Sequence, residues 1–195
     1  MPDRTTDELL LERAKAGESA AFLEIYERHR DPVFRFAYRL SGSVERAEDI
    51  THDCFLSLLR KPGNFRPGRA TLRTYLLAAA RNLWFKQLRT LDREAELDEF
   101  ADARFESPRR GPLREVLDDE LAAAVKEAVS GLPPMQREAL VLFEYEGLAL
   151  HEIAEIAGAD VGAIKARLHR ARQGLKSSLS TYLNSNREIV TLEKA

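Results

Sequence analysis

Apolar residues recur along this chain of 195 residues at helical spacing rather than in strand alternation. Leu9, Leu10 and Ala14 form a short stripe that Gly17 interrupts. Ala21, Phe22, Ile25 and Tyr26 resume it, and beyond Pro32 so do Val33, Phe34, Ala37, Tyr38 and Leu40. Steps of three and four place such side chains on one face of a helix. "SGS" at 41–43 reads as a turn. A third stripe, Ala47, Ile50, Thr51, Cys54, Phe55 and Leu58, stops at Lys61-Pro62-Gly63, and a fourth helix is expected over 70–91. Periodicity fades over 92–112, a stretch with seven acids and two prolines. It returns with Leu117, Leu121, Ala124, Val125, Ala128 and Val129, then breaks at Leu132-Pro133-Pro134. Further helices are expected over 136–145 and 150–157, and again after a turn at Gly158-Ala159-Asp160. The pattern predicts an all-α protein. Two small helical domains, 1–91 and 113–180, are joined by an acidic linker, 92–112, and followed by a tail, 181–195.

Charge sharpens this division. The formal net charge is −2, but residues 161–180 carry five basic side chains and no acidic one. Residues 54–91 are also free of acid and hold eight basic groups. A solvated helix ordinarily mixes both signs, so an unmixed basic face points to a negatively charged partner. The longest apolar run, at 75–80, is far short of the roughly twenty residues a membrane span needs. The start, "MPDRTTDELL", has no signal-peptide pattern, and the one cysteine excludes an internal disulfide and a cysteine-based metal cluster. A soluble, cytoplasmic protein with no direct membrane insertion is the expectation.

Within "LHEIAEIAGADVGAIKARLHRAR", Ile153, Ala154 and Ala157 give a short helix its inner face. Gly158 suits a tight turn, and Asp160 can cap the next helix. In that helix Ile164, Leu168, Ala171 and Leu175 lie within about 60° of one another. Gly162, Ala163, Ala166, His169, Arg170 and Gln173 face the other way, flanked by Lys165 and Arg167. Small residues allow close approach to DNA, and basic ones reach guanine edges or phosphates, as in a helix–turn–helix reading the major groove.

Two longer stretches narrow the reading. "GLPPMQREALVLFEYEGLALHEIAEIAGADVGAIKARLHRARQGLK" resembles the promoter-reading C-terminal domain of bacterial RNA polymerase sigma factors. "AFLEIYERHRDPVFRFAYRLSGSVERAEDITHDCFLSLLRK", followed by "TLRTYLLAAARNLWFKQLR", resembles their N-terminal core-binding domain. Their order, with only a linker between, is similar to the two-domain extracytoplasmic-function group. The resemblance implies binding to core RNA polymerase and direction of it to promoter DNA. The −35 element would be read as duplex by Lys165, Arg167, Arg170 and Arg172, with Ala163, Ala166 and His169 among them. Arg137, in "LPPMQRE", matches a position that faces the DNA backbone.

For a melted −10 element the resemblance points to the loop at 61–70 and the helix after it. Lys61, Asn64, Phe65, Arg66, Arg69, Thr71 and Arg73, then Arg81, Asn82 and Lys86, are the types that single-strand binding uses. Rings such as Phe65, Tyr75 and Trp84 are also ordinary core residues, and Asn82 could brace neighbouring helices. "AEDITHDCF" matches the helix that docks on a coiled coil of the largest polymerase subunit. Asp49 and Asp53 would accept from basic groups, and Ile50, Phe55 and Leu56 would supply apolar contact. His52-Asp53 stands where the family usually has Gln-Glu. Family members are commonly restrained by an anti-sigma factor, a further implied partner.

No catalytic triad, Walker-type or glycine-rich phosphate motif occurs, so neither enzyme activity nor a cofactor is expected. His52 and Cys54 point about 200° apart on a helix and cannot chelate one metal ion together. Two other readings fit parts of the chain: a stand-alone helix–turn–helix regulator, and a sigma-like decoy for an anti-sigma factor. The first leaves the N-terminal half unexplained, and the second has no need of intact basic faces.

Overall fold

The computed structural model describes residues 6–66, 68, 70–97 and 116–192, all helix and turn, in two units divided at residue 102. Arg69 and linker residues 98–112 lie outside the described residues.

Among the described residues the N-terminal unit has four α-helices: α1 (Asp7–Lys15), α2 (Ser19–Ser41), α3 (Val44–Arg60) and α4 (Leu72–Leu97). Helix α2 packs on the other three, and α3 also packs on α4. The caps are local. The Thr6 hydroxyl accepts from the Leu9 N–H, and the Ser43 hydroxyl accepts from the Arg46 N–H. Helix α2 runs through Pro32 without a break. An interior proline costs about 3 kcal/mol. Burial of Ile25, Val33, Phe36, Ala37 and Leu40 on one face of the same helix offsets it. A short 3-10 turn, Pro62–Asn64, leads into the loop before α4.

An acid–base cluster fastens α1 to α2. His29 is 6% exposed with its Nε2 2.8 Å from Asp7 Oδ2, and Arg28 Nη1 donates to Asp7 Oδ1 at 2.5 Å. Desolvation dominates at His29 and holds its pKa below the ordinary histidine value, against the raising effect of Asp7; Arg28 and Arg73 also lower it. The unfolded chain therefore binds this proton more readily. Stability that is complete above about pH 6.5 is lost as pH falls toward the folded-state pKa. Thermal melts between about pH 8 and about pH 5 should show this decline, and His29→Gln should flatten it. Equal slopes for the two proteins would rule the cluster out as its source.

The C-terminal unit contains α5 (Val116–Ser130), α6 (Pro134–Leu140), α7 (Leu150–Ala157) and α8 (Val161–Leu192). Helix α8 packs on α5, α6 and α7. The helix expected over 136–145 begins earlier, at Pro134, because a first-turn residue needs no N–H partner. Its end widens into a π-helical turn, Val141–Tyr145, closed by Glu146 N–H to Val141 O and Leu148 N–H to Leu142 O. Gly158 ends α7 in the left-handed region, φ 60°. Asp160 Oδ1 then accepts from the Ala163 N–H at 2.8 Å and caps α8. Helix α8 continues through most of the stretch taken as a tail.

Candidate nucleic-acid and polymerase interfaces

The start of α8 has a clear inside and outside. Ile164, Leu168 and Ala171 are buried, whereas Lys165, His169, Arg170, Arg172 and Gln173 are exposed, with Ala163 and Ala166 half-buried between them. Gly162 has a local structural role. A Cβ there would stand 2.9 Å from Asp160 Oδ1, the atom that caps the helix.

Two arginines expected at the DNA surface turn inward. Arg137 is 8% exposed and donates through Nη2 to the carbonyls of Ser130 and Leu132, where the latter bond is 3.1 Å. Burial lowers its pKa from the usual arginine value. It closes the turn between α5 and α6 instead of facing a DNA backbone. The Arg167 side chain is 16% exposed, with Nη1 3.8 Å from Glu138 Oε2 on α6. Its angular position explains this, since at 100° per residue Arg167 lies about 40° from buried Ala171. Arg172 stays outside but is engaged: it donates to Glu144 Oε1 at 2.8 Å and lies over the Phe143 ring at 5.5 Å.

In the N-terminal unit, Lys61, Asn64, Arg66, Asn82 and Lys86 are exposed, and Arg73 and Arg81 are half-buried. Phe65 is 3% exposed and meets the half-buried Tyr75 edge-on at 5.7 Å, so it anchors the loop in the core and offers no free ring face. Trp84 is likewise core. The Thr71 hydroxyl is occupied as the cap of α4, accepting from the Thr74 N–H at 3.1 Å. Phe85, absent from the sequence reading, lies 4.4 Å from the Arg81 guanidinium, whose Nη1 donates to Asn82 Oδ1 at 3.1 Å.

On α3, Asp49, His52 and Asp53 are exposed and Leu56 half-buried, along one stripe at steps of three and four. Ile50 at 0% and Phe55 at 3% exposure belong to the core, with Phe55 edge-on to Tyr26 at 4.9 Å. They cannot also supply an external contact. Exposed Leu59, one turn beyond Leu56, continues the outer stripe and was not singled out from sequence. Cys54 is buried, its S–H directed at the Leu76 carbonyl at 3.3 Å, and burial pushes the thiol up to about 12. Asp53 and Lys86, expected at different surfaces, line the same cleft between α3 and α4. It holds about 280 Å³ and is completed by Arg46, Leu83, Gln87, Thr90 and Leu91. Among the described residues no helix is long and apolar enough to cross a membrane.

Comparison with known proteins matches these two units to two family models. Residues 25–94 match sigma-70 region 2, and residues 122–175 match sigma-70 region 4. Over 177 residues the chain is 30% identical to the ECF RNA polymerase sigma factor SigW of Bacillus subtilis, covering 87% of this chain and 94% of that one. The chain belongs to the ECF sigma factor family. This sigma factor is also 35% identical over 162 residues to the ECF RNA polymerase sigma factor SigE of Mycolicibacterium smegmatis. That alignment covers 82% of this chain but 62% of the relative, so the chain spans about three fifths of that protein's length. Among solved structures, the sigma factor RpoE of Bartonella quintana, in complex with the anti-sigma factor NepR, aligns with a TM-score of 0.66 and 26% identity. The alignment covers 82% of this sigma factor and 96% of RpoE.

Proposed function

We propose that this sigma factor binds core RNA polymerase and directs it to promoters. The carrying observation is the outward face of α8: Lys165, His169 and Arg170 are exposed on a capped helix whose opposite side is locked into the unit. That face suits duplex DNA, with basic groups for phosphates and guanine edges. Asn64, Arg66, Asn82 and Lys86 suit a melted strand, and the stripe Asp49, His52, Asp53 and Leu56 suits a polymerase surface that is basic with an apolar margin. An anti-sigma factor is a further partner under this reading, supported by the complex in which the RpoE neighbour was solved. The chain works in the cytoplasm and supplies no chemistry of its own, leaving nucleotide addition to the polymerase.

Run-off transcription with purified core polymerase and a library of genomic fragments tests this. Promoter-specific transcripts that require the added chain are expected, and their absence would reject the proposal. Tight duplex binding without polymerase would favour a stand-alone regulator. Capture of an anti-sigma factor without polymerase binding would favour a decoy. Arg170→Ala is expected to weaken −35 recognition by about 1–3 kcal/mol through loss of a base contact, and unchanged selectivity would remove Arg170 from that role.

A further inference from the structure

The cleft between α3 and α4 sets charges of both signs around one space. Arg46 and Asp53 line it from α3, and Lys86 and Gln87 from α4, about a volume of roughly 280 Å³. Among the described residues no ion pair engages the side chains of Arg46, Asp53 or Lys86. Gln87 adds a sharper signal, because its Oε1 is buried and has no hydrogen-bond partner. Among the described residues of the N-terminal unit it is the one buried side-chain oxygen or nitrogen so left. Other buried polar groups there are answered, as the Thr51 hydroxyl is by the Ala47 carbonyl at 2.6 Å. A buried acceptor without a donor is costly, and folded chains rarely keep one.

The groups around the cleft select an occupant by elimination. A simple anion would suit Arg46 and Lys86 but be repelled by Asp53. A simple cation would suit Asp53 but be repelled by the two basic groups. A zwitterion satisfies all three, and an N–H donor within it can answer the Gln87 oxygen. Leu83 and Leu91 also line the space, so an apolar group belongs in the same molecule. The volume falls just short of the roughly 300–1,000 Å³ of pockets that take drug-sized ligands, so the occupant is smaller than those. A free α-amino acid with an apolar side chain is a compact class that carries a carboxylate, an ammonium donor and an apolar group together.

We propose that the α3–α4 cleft is a binding site for such an amino acid. Its carboxylate pairs with Arg46 and Lys86. Its ammonium donates to Gln87 Oε1 and faces Asp53, and its side chain lies against Leu83 and Leu91. Neither DNA nor polymerase takes part, so the proposal stands apart from the proposed function.

Proton–nitrogen correlation spectra of the full chain, titrated with L-leucine, L-methionine and L-phenylalanine, test it. At least one of the three should shift the Gln87 side-chain amide and the backbone amides beside the cleft, and the shifts should saturate. The Gln87 signals are assigned by their loss in Gln87→Leu. That variant replaces an unpartnered amide with an apolar group of similar size, so its melting midpoint should hold or rise. Binding, followed by the backbone amides, should weaken about tenfold or more in the same variant. Arg46→Gln should weaken it as much, and Arg46→Lys, which keeps the charge, should retain most of it. N-acetyl-L-leucine lacks the ammonium and L-leucinamide lacks the carboxylate, so neither should bind at the cleft. The absence of a saturable shift from all three amino acids would overturn the inference and leave water as the occupant. Equal binding of the two blocked compounds would also overturn it, as would unchanged binding in Gln87→Leu and Arg46→Gln. Each of these results would leave the proposed function standing.

Discussion

Arg167→Ala is expected to destabilise the C-terminal unit by about 1–3 kcal/mol while leaving the salt dependence of duplex binding unchanged. The reason is Glu138, which is 1% exposed and has the Arg167 guanidinium 3.8 Å away. Removing the cation takes away one group that favours the carboxylate, in a setting that disfavours charge. Replacing both partners, as in Arg167→Met with Glu138→Gln, should recover most of the loss, because a buried pair is often no better than neutral side chains of similar size. Hydrogen exchange at the amides of α6 and α8 in the full chain reports the stability change without assuming that the two units unfold together. The salt slope separates this role from a phosphate contact. Lys165→Ala, at a phosphate, should reduce the slope by about one, whereas the Arg167 variants should not. A slope that falls in the double variant would return Arg167 to the DNA surface.

The second large effect is expected at Phe65, where truncation to alanine should cost the N-terminal unit about 3–5 kcal/mol. The side chain fills a core site at 3% exposure against Tyr75, at the point where the loop after α3 turns toward α4. The chain has a single tryptophan, Trp84, buried in this unit, so its fluorescence follows the unfolding directly. Phe65→Leu keeps most of the volume and should lose far less. A ring used for stacking on bases would behave otherwise. Both variants would then lose single-strand binding equally while the unfolding midpoint stayed in place.

Helix boundaries were legible where their signals are local. The short helix at 150–157, the Gly158 turn and the Asp160 cap follow from one backbone conformation and one hydrogen bond within a few residues. The sorting of basic and apolar residues into inside and outside was less so. Arg167 and Arg137 look like surface residues by type, and burial becomes acceptable only once Glu138 and the carbonyls at 130 and 132 are in place. Angle along α8 places Arg167 near Ala171, so geometry outweighs residue type there. Ile50 and Phe55 lie on the same apolar stripe as Ala47 and Leu58, and a stripe that builds the core has nothing left for a partner. The π-helical turn at Val141–Tyr145 leaves no trace in periodicity, because one widened turn shifts the register only once. The support of Arg81 by Phe85 depends on side-chain rotamers, which spacing alone does not specify.

The buried Cys54 has a practical consequence. With its thiol pushed up to about 12, Cys54 carries almost no reactive thiolate at neutral pH, and the sulfur is enclosed as well. It is the chain's one cysteine. A cysteine introduced on the outer face of α8 or on the loop before α4 would therefore react with a fluorophore almost alone. Movements of either segment during promoter opening could then be followed on the otherwise unaltered chain.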